Sequence, residues 1–215
     1  IVLANLTDDF SVSGEVVVTT PVGTGIDISG SPGVDLNFSG VTITGGGADG
    51  LVAGSSAGAN LTIATLVVDV AGGGVDIDGI NDLTIQANVA NTLQTADGIL
   101  LDLSNITNAD INLGDVLGNN NAGPGVVMDT VVGDTVFGFL EIFSIGGDGM
   151  NLQNAGNVNI TDAFSFINAS GGAALVLNNV NAAMDLGTVI AENGLNGIFL
   201  TQVTGAINIF DDTVI

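Results

Sequence analysis

The residues of this sequence that could do chemistry are almost all carboxylates. Its 215 residues include 23 Asp and Glu but no Lys, Arg, His or Cys, for a formal net charge of −23. There is no imidazole to move protons, no thiol to attack or ligate, and no side-chain cation to hold phosphate. Carboxylates alone can bind a hard cation, or act in pairs about 5 to 10 Å apart on a glycosidic bond. Acid pairs occur at Asp8-Asp9 and Asp211-Asp212. They read first as turn residues, and no catalytic residue is assigned. Glu15, Glu141 and Glu192 share no common spacing.

A more suggestive set is Asp76, Asp78, Asp102 and Asp129. The last three are separated by 24 and 27 residues, so a chain returning on itself at that interval would stack them. At a strand spacing of about 4.8 Å, unit charges repel by roughly 1 kcal/mol in water and roughly 3 to 4 at an effective dielectric of about 20. A Ca²⁺ ion held by these oxygens, with Asp76, would relieve the repulsion. The plainer reading is solvated turn carboxylates splayed apart.

The chain does return at that interval. A small residue followed by alternating apolar positions recurs as GIDI from Gly25, GLVA from Gly50, GVDI from Gly74, GILL from Gly98, GVVM from Gly125, GMNL from Gly149, ALVL from Ala174 and GIFL from Gly197. The offsets are 25, 24, 24, 27, 24, 25 and 23 residues, a regularity foreign to ordinary globular domains. A strand running two residues longer after Gly98 would displace Asp102 from the aspartate column. A second triplet follows each start, with period-two alternation: VTI ending at Ile43, then triplets ending at Ile63, Ile85, Leu113, Phe137, Ile160, Leu186 and Ile209. A third apolar stretch often comes next, as in Leu66 to Val70, Phe139 to Ile145 and Ala163 to Ile167. Glycine and asparagine clusters separate them, including Asn119 to Gly125 and Asn193 to Gly197.

Stacked in register, such units predict an all-β, right-handed parallel β-helix, or β-solenoid, of about nine coils of roughly 24 residues. Residues 1–24 are expected to be an N-terminal entry or capping segment and 25–215 the solenoid, a single domain. An antiparallel sandwich is the rival, but it has no need of the period. Ile63, Ile85, Leu113, Ile160, Leu186 and Ile209 are expected in one interior stack. Asn105, Asn154 and Asn179 superpose at a bend, with Gln202 continuing the column, where amides can hydrogen-bond along the axis. Outward positions read Thr42, Thr62 and Thr84, then Asn112, Asn159, Asp185 and Asn208; a threonine ladder that ends after three members does not sustain an ice-binding face. Phe137, Phe143, Phe164, Phe166 and Phe199 read as stacked core rings. Sequons stand at Asn5, Asn37, Asn60, Asn105, Asn159 and Asn168.

The unit, as in Gly197-Ile-Phe-Leu-Thr-Gln-Val-Thr-Gly-Ala-Ile-Asn-Ile, resembles the repeat of the right-handed parallel β-helix (pectate-lyase-like) superfamily, particularly repetitive segments of large bacterial secreted and surface proteins. The resemblance covers about Gly25 to Ile209. It implies fold more than function, since that fold carries lyases, hydrolases, adhesins and fibres alike. The Arg base of the lyases and the His and Arg-Lys elements of the polygalacturonases have no counterparts here.

The charge excludes nucleic acid, which needs Lys and Arg against phosphate, and attraction to an anionic membrane surface. No apolar run approaches the roughly 18 residues of a spanning helix, so membrane insertion is not expected. The expectation is a non-catalytic structural protein of the cell surface or extracellular space, a fibre, stalk or adhesin segment. It would self-associate head to tail or continue into a longer chain, with Ca²⁺ as the one candidate cofactor. The alternative is a polysaccharide-binding or polysaccharide-cleaving β-helix using surface carboxylates. With a start at Ile1 and no basic or apolar leader, any secretion signal is expected to have been removed or to lie outside this sequence.

Overall fold

A column of small residues brings the chain back over itself. The computed structural model describes residues 1–87, 90–144, 146–192, 197–211 and 213–214. In it Ile26 N–H donates to Gly50 O, Leu51 to Gly74, Val75 to Leu100, Val126 to Gly149 and Met150 to Ala174, at 2.9 to 3.1 Å. Each turn of chain therefore bonds to the next, and every strand pairing among the described residues is parallel. The protein is an all-β solenoid of about eight turns, without helices among the described residues. Residues 1–24 carry the strands Val2–Ala4 and Phe10–Thr19, already in register with the turn above them.

Three faces enclose the core. The first is built by Ile26–Ser29, Leu51–Gly54, Val75–Asp78 and their successors up to Ile198–Thr201. Its alternate residues Ile26, Leu51, Val75, Leu101, Val126, Met150 and Leu175 form a fully buried column. The second face includes Asn60–Ile63, Asp82–Ile85 and Asn181–Leu186, and the third Leu66–Val70, Thr92–Thr95, Phe166–Ala169 and Thr188–Ala191. Between the first and second faces the chain bends at one residue per turn. Asn5, Gly30, Ser55, Gly79, Asn105, Thr130, Asn154, Asn179 and Gln202 stand over one another, all with φ between 50° and 71°. A single left-handed residue redirects a strand without a loop, and Asn tolerates that conformation better than most.

Gly25 illustrates why the returning column is small: a Cβ there would meet Ile43 Cγ2 at 2.5 Å and Gly50 O at 2.8 Å. At Gly125 the obstacle is Ile142 Cγ2, also at 2.5 Å. The exception corrects the sequence reading, for the fourth member is Leu100 and not Gly98. Leu100 is fully buried and bonds into the column between Gly74 and Gly125. It is tolerated because Gly118 holds, one turn earlier, the register position of Ile142. A large residue and a small one have exchanged places.

That two-residue displacement propagates. Ile85 lies under Ile111, whereas Leu113 lies under Phe137, then Ile160, Met184 and Ile207. The single interior stack expected for Ile63, Ile85, Leu113, Ile160, Leu186 and Ile209 is therefore several neighbouring columns, and Leu186 pairs with Ile209 in another. All but Ile209 are buried, and Ile209 packs against the core from the last turn. Ile43, grouped with them by pattern, belongs to the third face and pairs with Val68.

The corner between the second and third faces is irregular and is stitched by buried polar side chains. Asn91, with no exposed surface, accepts from Leu66 N–H at 2.8 Å and donates to Gln86 O at 2.6 Å and Asn112 O at 2.8 Å. Ser165 does similar work higher up, accepting from Leu140 N–H at 3.1 Å. Ser31 and Ser56, also fully buried, stack just past the left-handed corner. The phenylalanines divide: Phe137 is in the core, but Phe143 and Phe166 stack on the outer surface with centroids 4.9 Å apart, and Phe164 is 82% exposed. Phe199, too, is exposed. Period two decides this, since Phe143 follows the buried Ile142 and must face out.

Candidate functional site

The aspartates come together, but not as one ladder. In the first-face register Asp102 stands on Asp76, while Ser104 stands between Asp78 and Asp129. The expected column of Asp78, Asp102 and Asp129 is thus corrected by the Leu100 displacement. What forms is a group of Asp49, Asp76 and Asp102 around a recess of about 150 Å³, with backbone of Gly73, Gly74 and Ile99 in its wall. Asp49 is a member that spacing did not reveal, because it belongs to the turn before the strand. Its Oδ1 accepts from Gly73 N–H at 2.9 Å.

Environment separates these carboxyls. Partial burial, then the charges of Asp49 and Asp78, raise Asp76 above the ordinary carboxylate range. Burial, then Asp76 and Asp78, raise Asp102 likewise. Asp78 goes the other way: the Asn105 amide at 2.8 Å and the Ser104 hydroxyl at 2.7 Å stabilise its charged form and lower its pKa. Among the described residues no group of three or more His, Cys, Asp or Glu side chains is disposed to hold a metal ion.

Elsewhere, amides answer the carboxylates in place of cations. Asn157 Nδ2 donates to Asp134 Oδ1 at 2.6 Å, Asn181 Nδ2 to Asn157 Oδ1 at 2.7 Å, and Thr204 Oγ1 to Asn181 Oδ1 at 3.1 Å. Asn81 donates to Asn60 and Asn60 to Asp35 in the same way. Asn208 donates to Asp185, and Thr42 to Glu15. The column foreseen at the bend is present, with Asn179 Nδ2 on Asn154 Oδ1 at 3.0 Å. Every one of these bonds between turns donates from the later turn to the earlier. An ionised carboxylate can only accept, so an aspartate at the start of a ladder fixes which way each amide above it faces.

The remaining sequence candidates fall into ordinary roles. Asp8 and Asp9 lie in the first turn of chain, where Asp9 Oδ1 accepts from Asp35 N–H at 2.9 Å. Asp211 bonds through its N–H to Gly187 O in the last turn, at the opposite end of the stack from Asp8 and Asp9; Asp212 lies outside the described residues, as do Asn193 to Asn196 and Ile145. Thr62 and Thr84 do stack, but Thr42 is on the third face with Val67. The sequon residues Asn5, Asn37 and Asn105 are exposed and Asn60, Asn159 and Asn168 half-buried, all but Asn5 within strands.

These features define the class as a β-solenoid of stacked parallel strands with a carboxylate and amide exterior. Comparison with protein-family models, curated proteins and solved structures finds no match for this chain.

Proposed function

We propose that the chain is a non-catalytic structural element of the cell surface or extracellular space, a rod segment of a fibre, stalk or adhesin. The observation that carries this reading is the continuity of the interior columns from the first turn to the last, with the surface given over to bonds between turns. Such a design resists pulling and proteolysis rather than gripping a reactant. The resemblance to the right-handed, pectate-lyase-like β-helix and to repetitive segments of bacterial secreted proteins belongs to the same proposal.

The two end turns support self-association as part of this proposal. Ile1 and Leu200, on interior columns, are 51% and 48% exposed, whereas their equivalents inside the stack are buried. Those surfaces favour docking of a further parallel coil, which on this reading a second molecule supplies head to tail. Light scattering and electron microscopy across salt and pH test the reading: rods that lengthen as charge is screened support it. Release of new reducing ends from any polysaccharide of a broad panel would overturn the non-catalytic assignment.

A further inference from the structure

Where the left-handed corner meets the second face, in the later turns, the surface is concave. The groove measures about 300 Å³ and runs across successive turns from Val131 and Val132 to Gln202 and Thr204. One wall is the corner column of Asn154, Asn179 and Gln202, and the other is the ladder of Asn157, Asn181 and Thr204. Ala155, Gly156 and Val180 line it between them. In a chain with 23 carboxylates, none lines this groove.

We propose that this groove binds an extended, uncharged, polyhydroxylated chain, a neutral glycan, lying along the solenoid axis. Each carboxamide has two N–H groups and two lone pairs, and its ladder uses one or two of these, so a donor or an acceptor remains at each level. A sugar hydroxyl is donor and acceptor at once and matches such a wall. The ladder bonds between Asn179 and Asn154 and between Asn181 and Asn157 already hold the amides in place, so less side-chain freedom is lost on binding. The one carboxylate bonded to a wall, Asp134, stands outside the lining and is held by Asn157 at 2.6 Å, and anions find no positive charge here.

Periodicity selects among neutral polymers. Amides recur once per turn, about 4.8 Å, whereas an extended peptide advances about 3.4 Å per residue and falls out of step. A chain of 1,4-linked pyranose rings advances by close to one turn per ring; each ring meets an amide level, and because alternate rings of the cello series are flipped, like hydroxyls recur every second turn. Val132, 57% exposed on the lining, offers an apolar contact to the ring.

Titration calorimetry with cello-oligosaccharides from dimer to hexamer tests this. Affinity is expected to rise with each ring until the groove is filled and then level off. Asn179→Gly keeps the left-handed backbone while deleting the amide, and Asn181→Ala deletes one from the facing ladder; each is expected to weaken hexamer binding at least tenfold with melting temperature nearly unchanged. Asn60→Ala, in a ladder outside the groove, should leave binding intact. Three results would overturn the proposal: no binding by any length, binding that ignores both groove substitutions in folded protein, or equal binding of oligogalacturonate or an extended peptide.

Discussion

Asp102 lies directly over Asp76 on adjacent turns of the first face, and both carboxyls are raised above the ordinary value by burial and then by nearby carboxylates, Asp49 and Asp78 for Asp76, Asp76 and Asp78 for Asp102. A carboxyl raised in the folded state binds more protons there than in the unfolded chain. Stability is therefore expected to increase as pH falls from neutral through the raised values toward about 3.9. Asp78 is lowered, so its contribution persists through that window and is lost only at still lower pH. Asp102→Asn should raise the melting temperature at neutral pH and flatten the profile. Thermal melts from neutral to mildly acidic pH check both. A Ca²⁺-induced rise that Asp102→Asn abolishes would assign a cation to this pair.

Thr135 is 1% exposed and its hydroxyl has no hydrogen-bond partner among the described residues. It sits between Ile111 and Val158 in an otherwise apolar column. Thr135→Val removes the unpaired hydroxyl without changing volume and is expected to stabilise by about 1 kcal/mol, seen as a higher urea midpoint with unchanged slope.

Asn91 behaves in the opposite sense. Asn91→Leu leaves the buried Leu66 N–H without its acceptor and removes a donor from the part-buried carbonyls of Gln86 and Asn112, at an expected cost of about 1 to 3 kcal/mol. Urea unfolding measures it. A loss below about 0.5 kcal/mol would mean that water replaces the amide there.

Gly125 and Ile142 should be coupled. Gly125→Ala alone forces a methyl against Ile142 and is expected to destabilise by about 1 to 3 kcal/mol. Ile142→Ala should cost about 2 to 5 kcal/mol alone, but the double mutant is expected to lose less than the sum of the two, a non-additive cycle. Leu100 opposite Gly118 is the natural version of the same exchange.

Much of this architecture was legible because it is periodic. The eight small-residue starts identified the repeat, and the Asn105, Asn154, Asn179 and Gln202 column was read at the correct residues, because a left-handed corner favours Asn visibly in sequence. The aspartate column was not, since Gly98 mimics a start while Leu100, large and apolar, carries the true one. Only the compensating Gly118, far along the chain, permits that, and no local pattern reports it. Asp49 and Asn91 escaped for a related reason: both are in connections of variable length, where spacing carries no register. The groove between two amide walls needed the register of both faces before its walls could be paired.

The common direction of the amide ladders makes the rod electrically unsymmetrical along its length. Where an aspartate lies beneath, as Asp134 under Asn157 and Asp35 under Asn60, it aligns side chains that could have pointed either way, and their small dipoles add, much as peptide dipoles do in a helix. The solenoid is in this respect a needle with a head and a tail. An array of such needles anchored by the same end would present one uniform face to whatever approaches it.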